Sequence, residues 1–189
     1  MTDSAVDGSL PFPLSRSTLI LGPSNVGKTR LTARALEAWI DREGVEGVVV
    51  LDFAPEVERA GRLLGGRLDR FTEIPDGAWR GVIEASAPRA EGRDDAGALE
   101  LARRNAARAR RILEAAPPEP RAVFVNDATI PFQAGDDPAL LTGYCSRGEM
   151  AVLNAFAGEE LGVADPVSRN ERAAVDDLRA WAHRVVRLP

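Results

Sequence analysis

The chain has 189 residues, of which 44% are hydrophobic and 28% charged, a composition typical of a globular protein with one core. Its 24 basic and 29 acidic side chains give a formal charge of −5, which argues against nucleic acid or an anionic membrane as the main partner. A lone cysteine, Cys145, excludes an intrachain disulfide, and a lone histidine, His183, argues against a multi-histidine zinc site.

Residues 1–15 are polar and contain Pro11 and Pro13, so we expect a flexible N-terminal arm. They lack the basic start and apolar stretch of a secretory signal, and no apolar run in the chain approaches the ~18 residues of a membrane span. We therefore expect a cytoplasmic protein in which residues 16–189 form a single domain.

The first half of the chain contains two predicted strands. The first strand covers residues 17–22 and is followed by a glycine-containing turn and a helix over residues 29–40. The second strand covers residues 48–51 and ends on Asp52, and its uninterrupted apolar run is typical of a parallel strand covered on both faces. Pro55 favours the first turn of a helix, so a second helix is predicted to continue through residues 57–64.

The segment over residues 66–99 shows no clear periodicity, and a connection of this length predicts a functional lid or a mobile segment. A long helix is then predicted over residues 99–115, followed by a third strand over residues 121–127. Residues 146–161 are open to two interpretations. Residues 146–149 resemble the capping box of a helix, whereas the apolar run MAVLNAF at 150–156 equally fits a fourth strand.

Near the end of the chain, residues 168–171 have the pattern of a capping box that opens a last helix, and Val185-Val186 predicts a short final strand. Strands therefore alternate with helices along the sequence. This alternation predicts an α/β three-layer sandwich with a mostly parallel sheet.

The turn after the first strand matches the pattern G-x-x-x-x-G-K-[ST] in full, between a predicted strand and a predicted helix. Its glycines allow backbone N–H groups to surround a phosphate, and the start of the helix adds the positive end of its dipole. Lys28 can reach terminal phosphates, and the Thr29 hydroxyl can bind Mg²⁺. Lys28 is also the only lysine among 24 basic residues, and arginine does not replace a compact ammonium in such a loop.

Residues 22–29 resemble the Walker A motif of P-loop nucleoside triphosphatases. The resemblance implies binding of ATP or GTP with Mg²⁺ on a three-layer α/β fold. The residues expected to bind the nucleotide are Gly22, Pro23, Ser24, Asn25, Val26, Gly27, Lys28, Thr29 and Arg30.

Two acids at predicted strand ends are candidates to hold the Mg²⁺ shell together with Thr29. Asp127 is favoured over Asp52, because it lies well downstream of the loop, as a Walker B aspartate does. The alternative for either acid is a local turn contact. Glu56, just beyond the second strand, is similar to the water-polarising glutamate of recombinase-like proteins, and the alternative is an acid that complements a helix dipole.

The absence of further lysines excludes the Asn-Lys-x-Asp motif of Ras-like GTPases, and neither protein-kinase loops nor an ABC-transporter signature is present. The order of motifs resembles the adenosylcobinamide kinase family, and the strand end Asn126-Asp127 resembles the Asp-Glu of a small nucleoside-triphosphatase family. Arg80, Arg89 and Arg93 are candidates to close over a nucleotide, as arginines do in nucleotide-kinase lids.

We therefore expect an enzyme that binds an Mg²⁺–nucleoside triphosphate and hydrolyses it, with Lys28, Glu56 and Asp127 as catalytic residues. A small-molecule kinase that transfers the γ-phosphoryl group is the first alternative. A non-enzymatic switch, in which the nucleotide orders long loops, is the second. No membrane or nucleic-acid partner is expected, and self-association of the chain stays open.

Overall fold

The computed structural model describes residues 10–59, 61–64 and 66–189, and a parallel β-sheet lies at its centre. The strands are β1 (Arg16–Gly22), β2 (Val48–Asp52), β3 (Val57–Arg59), β4 (Arg62–Leu64), β5 (Trp79–Val82), β6 (Ala122–Asn126), β7 (Met150–Phe156) and β8 (Arg184–Arg187). The helices are α1 (Lys28–Glu43), α2 (Pro88–Glu91), α3 (Asp95–Ala115), α4 (Ala139–Cys145) and α5 (Pro166–Trp181). Short 3-10 turns cover Leu68–Arg70 and Ile130–Phe132.

Six of the strands form the sheet, in the order β5-β2-β6-β7-β1-β8, and every neighbouring pair is parallel. The predicted α/β class and the parallel sheet are therefore confirmed. Because all strands run the same way, their carboxyl ends meet at one edge, where ligands bind in open α/β sheets. Strand β7 separates β1 from β6, so the loop after β1 lies two strands from the residues that follow β6.

Alternating side chains of the strands build a hydrophobic cluster on each face of the sheet. Leu19 and Leu21 lie in one cluster with residues from α3, α4 and α5, whereas Ile20, between them, lies in the other with residues from α1. Both faces of the central strands are thus buried under helices. This arrangement explains the uninterrupted apolar runs of β2 and β6.

The N-terminal arm predicted for residues 1–15 is corrected for the part that the structure describes. Leu10, Phe12 and Leu14 are all more than 90% buried and share the hydrophobic cluster of α1. These three apolar residues alternate with Pro11 and Pro13, which are typical of loops. The prolines therefore favoured the prediction of an arm although the segment is strongly apolar. Residues 1–9 lie outside the described part of the chain.

The helix predicted over residues 57–64 is wrong, because this segment forms an antiparallel hairpin of β3 and β4. Gly61, at a φ of 71°, lies in the turn between them, a conformation that glycine adopts at little cost. The long segment 66–99 also contains the edge strand β5, which has no clear sequence pattern. Helix α3 begins at Asp95, four residues before the predicted start, and the Asp94 side chain caps it by accepting a hydrogen bond from the Gly97 amide.

The open question over residues 146–161 is settled in favour of a strand, since β7 covers Met150–Phe156. Both predicted capping boxes are absent. Helix α5 begins at Pro166, and its N-cap is Asp165, whose carboxylate accepts a hydrogen bond from the Ser168 amide at 2.9 Å. The side chain of Glu171 therefore does not cap α5. In the described part of the chain, no helix is long and apolar enough to cross a membrane.

Candidate phosphate-binding site

The loop over residues 22–29 connects the end of β1 to the start of α1 at the carboxyl edge of the sheet. Gly27 has a φ of 96°, which favours glycine strongly. At Gly22 the requirement is space: a Cβ there would lie 2.9 Å from Val26 Cγ2 and 3.0 Å from the Leu188 carbonyl oxygen. The two glycines that define the sequence motif are thus required by this loop for two different physical reasons.

Lys28 is the first residue of α1, and its side chain is 8% exposed. Its ammonium donates a hydrogen bond to the Pro23 carbonyl oxygen, so it folds back over the loop. Burial lowers the pKa of Lys28, and the carboxylates of Asp127, Glu160 and Glu171 oppose that decrease. The Lys28 ammonium therefore contacts the loop, and the charges of these acids favour its protonated form.

Thr29 is held by Asn126, the last residue of β6. The Thr29 hydroxyl donates to Asn126 Oδ1 at 3.1 Å, which leaves the lone pairs of the hydroxyl oxygen available to a cation. Asn126 Oδ1 also accepts from Asn154 Nδ2 at 2.9 Å, and the same nitrogen donates to the Thr32 hydroxyl of α1. The amide of Asn126 thus takes the place beside Thr29 for which sequence reasoning chose an acid.

Asp52 completes a row of polar side chains across β2, β6 and β7. It is fully buried, and its carboxylate accepts hydrogen bonds from Asn126 Nδ2 at 2.9 Å and from the Leu68 amide at 2.7 Å. Burial raises the pKa of Asp52, although these two donors oppose the increase. Asp52 therefore contacts the side chain that holds Thr29, and it fixes the orientation of the Asn126 amide.

Asp127 follows β6 with a φ of 53°, which is unusual for a residue with a side chain. Its backbone N–H donates to Asn154 Oδ1 at 3.0 Å, and this contact supports the strained conformation. Enclosure by the surrounding protein raises the pKa of Asp127 to about 7, with Lys28 opposing the increase and Asp52 and Glu171 adding to it. A carboxyl group with such a pKa can exchange a proton near neutral pH.

Glu56 lies apart from these residues. Its carboxylate accepts a hydrogen bond from Arg70 Nε at 2.6 Å and lies 3.7 Å from Arg67 Nη1. The contact with Arg70 lowers the pKa of Glu56. Pro55, its neighbour, lines the cavity described next, whereas Glu56 is not among the described residues that do so.

A cavity of about 820 Å³ opens at the loop, and Lys28 is among the residues that line it. Its lining includes Arg30 and Arg34 of α1, and the Arg30 guanidinium lies 5.8 Å from the centre of the Phe71 ring. Another part of the lining, which we call the α5 half, consists of Arg89, Asp127, Thr129, Gln133, Phe156 and Glu171. The volume is near the upper end of the roughly 300–1,000 Å³ typical of small-molecule sites.

Glu171 organises the α5 half of the cavity. It is 3% exposed, and its carboxylate accepts hydrogen bonds from the Thr129 hydroxyl at 2.8 Å, from Gln133 Nε2 at 3.1 Å and from Arg89 Nη1 at 2.5 Å. Sequence reasoning missed Thr129, Gln133 and Glu171, because Glu171 was assigned to a capping box and the others lie in a segment without a motif. Glu171 lies on the otherwise apolar side of α5, and an acid in that position is a sequence signal that could have identified this site.

Glu160, in the connection between β7 and α5, contacts the loop directly. Its carboxylate accepts a hydrogen bond from the Ser24 backbone N–H at 2.7 Å, and this contact is the largest cause that lowers the pKa of Glu160. An anionic oxygen is therefore already bound by an amide of the loop. The contact shows that this amide is oriented to bind an anion.

The acids around the loop do not form a metal centre by themselves. Within the described residues, no three Asp, Glu, His or Cys side chains lie close enough together to hold a metal ion. Mg²⁺ commonly binds one or two protein oxygens together with substrate phosphates, and the Thr29 hydroxyl fits that mode. No protein-family model matches the chain, and no curated protein matches it either.

Proposed function

We propose that the protein is a P-loop enzyme that binds ATP or GTP with Mg²⁺ and cleaves the bond to the γ-phosphoryl group. The observation that carries the proposal is the 22–29 loop, in which a buried lysine and the Ser24 backbone amide, already bound to a carboxylate, occur together at the carboxyl edge of a parallel sheet. The two glycines at 22 and 27 support it, because each is required by the shape of the loop.

In this proposal each residue of the loop has a defined task. The amides of residues 24–29 bind the phosphates, and the Lys28 ammonium neutralises their terminal charge. Mg²⁺, arriving with the nucleotide, would compensate phosphate charge, with Thr29 as its protein ligand. Asn126 orients the Thr29 hydroxyl, and Asp52 orients Asn126.

Asp127 is the carboxylate best placed to accept a proton from the attacking group. It lines the cavity near Lys28, and its raised pKa suits a base that works near neutral pH. Glu56, the base predicted from its position after β2, would first have to leave its contact with Arg70.

A small-molecule kinase is the second candidate function, and one observation favours it. The α5 half lines the same cavity as the loop, and within the described residues the buried Gln133 Oε1 has no hydrogen-bond partner. A kinase needs a pocket for a second substrate beside the nucleotide, and the α5 half would supply it.

The binding proposal is tested by thermal unfolding with ATP, GTP, CTP and UTP, each with Mg²⁺. A nucleotide at 100 times its Kd adds about 2.7 kcal/mol of stability. At roughly 2–4 °C per kcal/mol for a chain of this size, the melting temperature should rise by about 5–10 °C. Phosphate release measured in parallel tests cleavage. No shift with any of the four would refute the binding proposal.

A further inference from the structure

Asn154 is a buried amide near the carboxyl end of β7, the strand that lies between β1 and β6. It is fully buried, and so are its apolar neighbours along the strand, Leu153 and Ala155. An amide in such surroundings is costly unless its polar atoms have partners. Both polar atoms of the Asn154 side chain have them, and the partners lead to the candidate site.

The side-chain nitrogen of Asn154 connects to the start of α1 along two routes. Nδ2 donates to Asn126 Oδ1 at 2.9 Å, and the same Oδ1 accepts from the Thr29 hydroxyl at 3.1 Å. Nδ2 also donates to the Thr32 hydroxyl at 2.9 Å, and that hydroxyl donates to the Lys28 carbonyl oxygen at 3.0 Å. Each route therefore has one side chain between Asn154 and a residue of the 22–29 loop.

The oxygens of Asn154 connect to the residues that follow β6. The side-chain Oδ1 accepts from the Asp127 backbone N–H at 3.0 Å, and the carbonyl oxygen accepts from the Ala128 N–H at 2.8 Å. Asp127 has a φ of 53°, a conformation that a residue with a side chain keeps only where its surroundings hold it. Asn154 therefore helps to set the direction in which the Asp127 side chain leaves the backbone.

Resting on the proposed function, we propose that Asn154 is a positioning residue for cleavage of the bond to the γ-phosphoryl group. Its amide orients Thr29 through Asn126 and holds the backbone of Asp127, so the metal ligand and the proton acceptor keep one fixed arrangement. The side chain supplies two N–H donors and one acceptor for these contacts. An aspartate would lose both donors, and a leucine of similar size would lose all three contacts.

Nucleotide binding gives the first test and needs no turnover. Asn154→Leu keeps the volume of the side chain, and Asn154→Ala is the second variant. The Kd of a fluorescent ATP or GTP is measured with Mg²⁺ and with EDTA. Both variants should lose roughly tenfold of the affinity that Mg²⁺ adds in the wild type, because the orientation of Thr29 is lost, and should bind about as well as the wild type in EDTA. No Mg²⁺-dependent difference between the variants and the wild type would overturn the proposal.

Turnover separates positioning from a merely structural role. Asn154→Leu should raise the Mg²⁺ concentration for half-maximal phosphate release about tenfold and lower kcat by at least about tenfold. In the Asn126→Ala background it should raise the Mg²⁺ requirement little further, because Asn154 acts on Thr29 through Asn126, while kcat should still fall. Effects on the Mg²⁺ requirement that simply multiply in the double variant would contradict this route.

Asn105→Ala is the matched control for Asn154→Ala. Asn105 on α3 is also fully buried, and its amide accepts from the Ser86 N–H and donates to the Ser86 carbonyl oxygen, both at 2.9 Å. Its loss should lower the melting temperature and leave the Mg²⁺ requirement unchanged. An equal Mg²⁺ shift in Asn105→Ala would show a general loss of packing and overturn the role of Asn154. A wild type that binds no nucleotide would instead refute the proposed function, so the two failures are distinguishable.

Discussion

Lys28 carries a positive charge at a place where the geometry distinguishes lysine from arginine. The ammonium is enclosed and donates to the Pro23 carbonyl, and a planar guanidinium would need more space and a different set of acceptors. We expect Lys28→Ala to weaken binding of the triphosphate roughly 10- to 100-fold and that of the nucleoside little, because charge-assisted contacts to the phosphates are lost.

Lys28→Arg should also abolish turnover, although it keeps the charge. Titration of fluorescent nucleotides measures binding, and phosphate release measures turnover. Arg42→Lys, at the far end of α1, is the matched control and should behave like the wild type. Activity of Lys28→Arg close to the wild type would contradict a specific need for lysine.

In the proposed function Asn126 orients the metal ligand and Asp127 accepts the proton, whereas the sequence predicted Asp127 for the Mg²⁺ shell and Glu56 as the base. Asp127→Asn should bind nucleotide but turn over about 10²- to 10⁴-fold more slowly, because a proton acceptor is lost. Asn126→Ala should instead raise the Mg²⁺ concentration needed for half-maximal activity, because Thr29 loses its orientation. Magnesium titrations of both variants test this division. A shifted Mg²⁺ dependence in Asp127→Asn would return that residue to the metal shell.

The raised pKa of Asp127 also predicts how the stability of the folded chain depends on pH. Its pKa is raised from 3.8 to about 7 in the folded chain, so the folded state holds the proton over a range in which the unfolded state has released it. The free energy of unfolding should therefore decrease as the pH rises from about 4 to 7. Asp127→Asn removes this contribution, so its melting temperature relative to the wild type should increase between pH 5 and pH 8.

Thermal unfolding at several pH values provides the comparison, with exposed Asp136→Asn as the control. A difference between Asp127→Asn and the wild type that is the same at pH 5 and at pH 8 would contradict an elevated pKa. The measurement needs no nucleotide, so it tests the environment of Asp127 separately from catalysis.

At the scale of single residues, the sequence placed the 22–29 loop correctly between a strand and a helix, and its binding of phosphate stays a prediction. The sequence did not identify Asn126 as the partner of Thr29, since an amide at a strand end has no distinctive signal. Glu171 was misassigned for a different reason. Its spacing from Ser168 fits a capping box, and only the earlier start of α5 at Pro166 excludes that role.

At the scale of elements, the connection between β7 and α5 acts on the loop through Glu160. The Glu160 carboxylate accepts from the Ser24 amide, and under the proposed function a phosphate of the nucleotide would compete for the same amide. We expect Glu160→Gln to lower the Kd for the nucleoside triphosphate roughly twofold to fivefold, because one negative charge near the phosphates is removed. Isothermal titration of both proteins measures the change.

Glu159→Gln removes the same charge from the neighbouring exposed position and is the matched control. We expect a smaller effect there than in Glu160→Gln. Equal effects in the two variants would show that only the general charge of the segment matters, and that the contact with Ser24 does not.

Elements with a full hydrophobic pattern were predictable, and edge elements were not. Strands β1, β2 and β6 are buried on both faces, so their apolar runs and the turns after them define them. Strand β5 lies at the sheet edge, has four residues and contains Gly81, so its pattern is too short to detect. The β3–β4 hairpin was missed because Pro55 favours a helix start as readily as an extended segment.

For the whole molecule, the alternation of elements predicted the parallel sheet, but the order of its strands came only from the structure. That order places β7 between the loop strand and β6. As a result, Asn154 bridges Asn126 and α1, a connection that requires knowledge of three neighbouring strands. Sequence patterns describe each strand separately and contain little information about which strands are neighbours in the sheet.

Because the chain has a single lysine, a lysine-specific protease can cleave it at one position only. A lysine-specific endoprotease has one target bond in the 189 residues, between Lys28 and Thr29, and cleavage there separates residues 1–28 from the rest. Because this bond lies at the enclosed start of α1, cleavage requires that the loop and helix open first. The digestion rate should therefore report the population of the open state, and Mg²⁺ with a bound nucleoside triphosphate should slow it in proportion to occupancy.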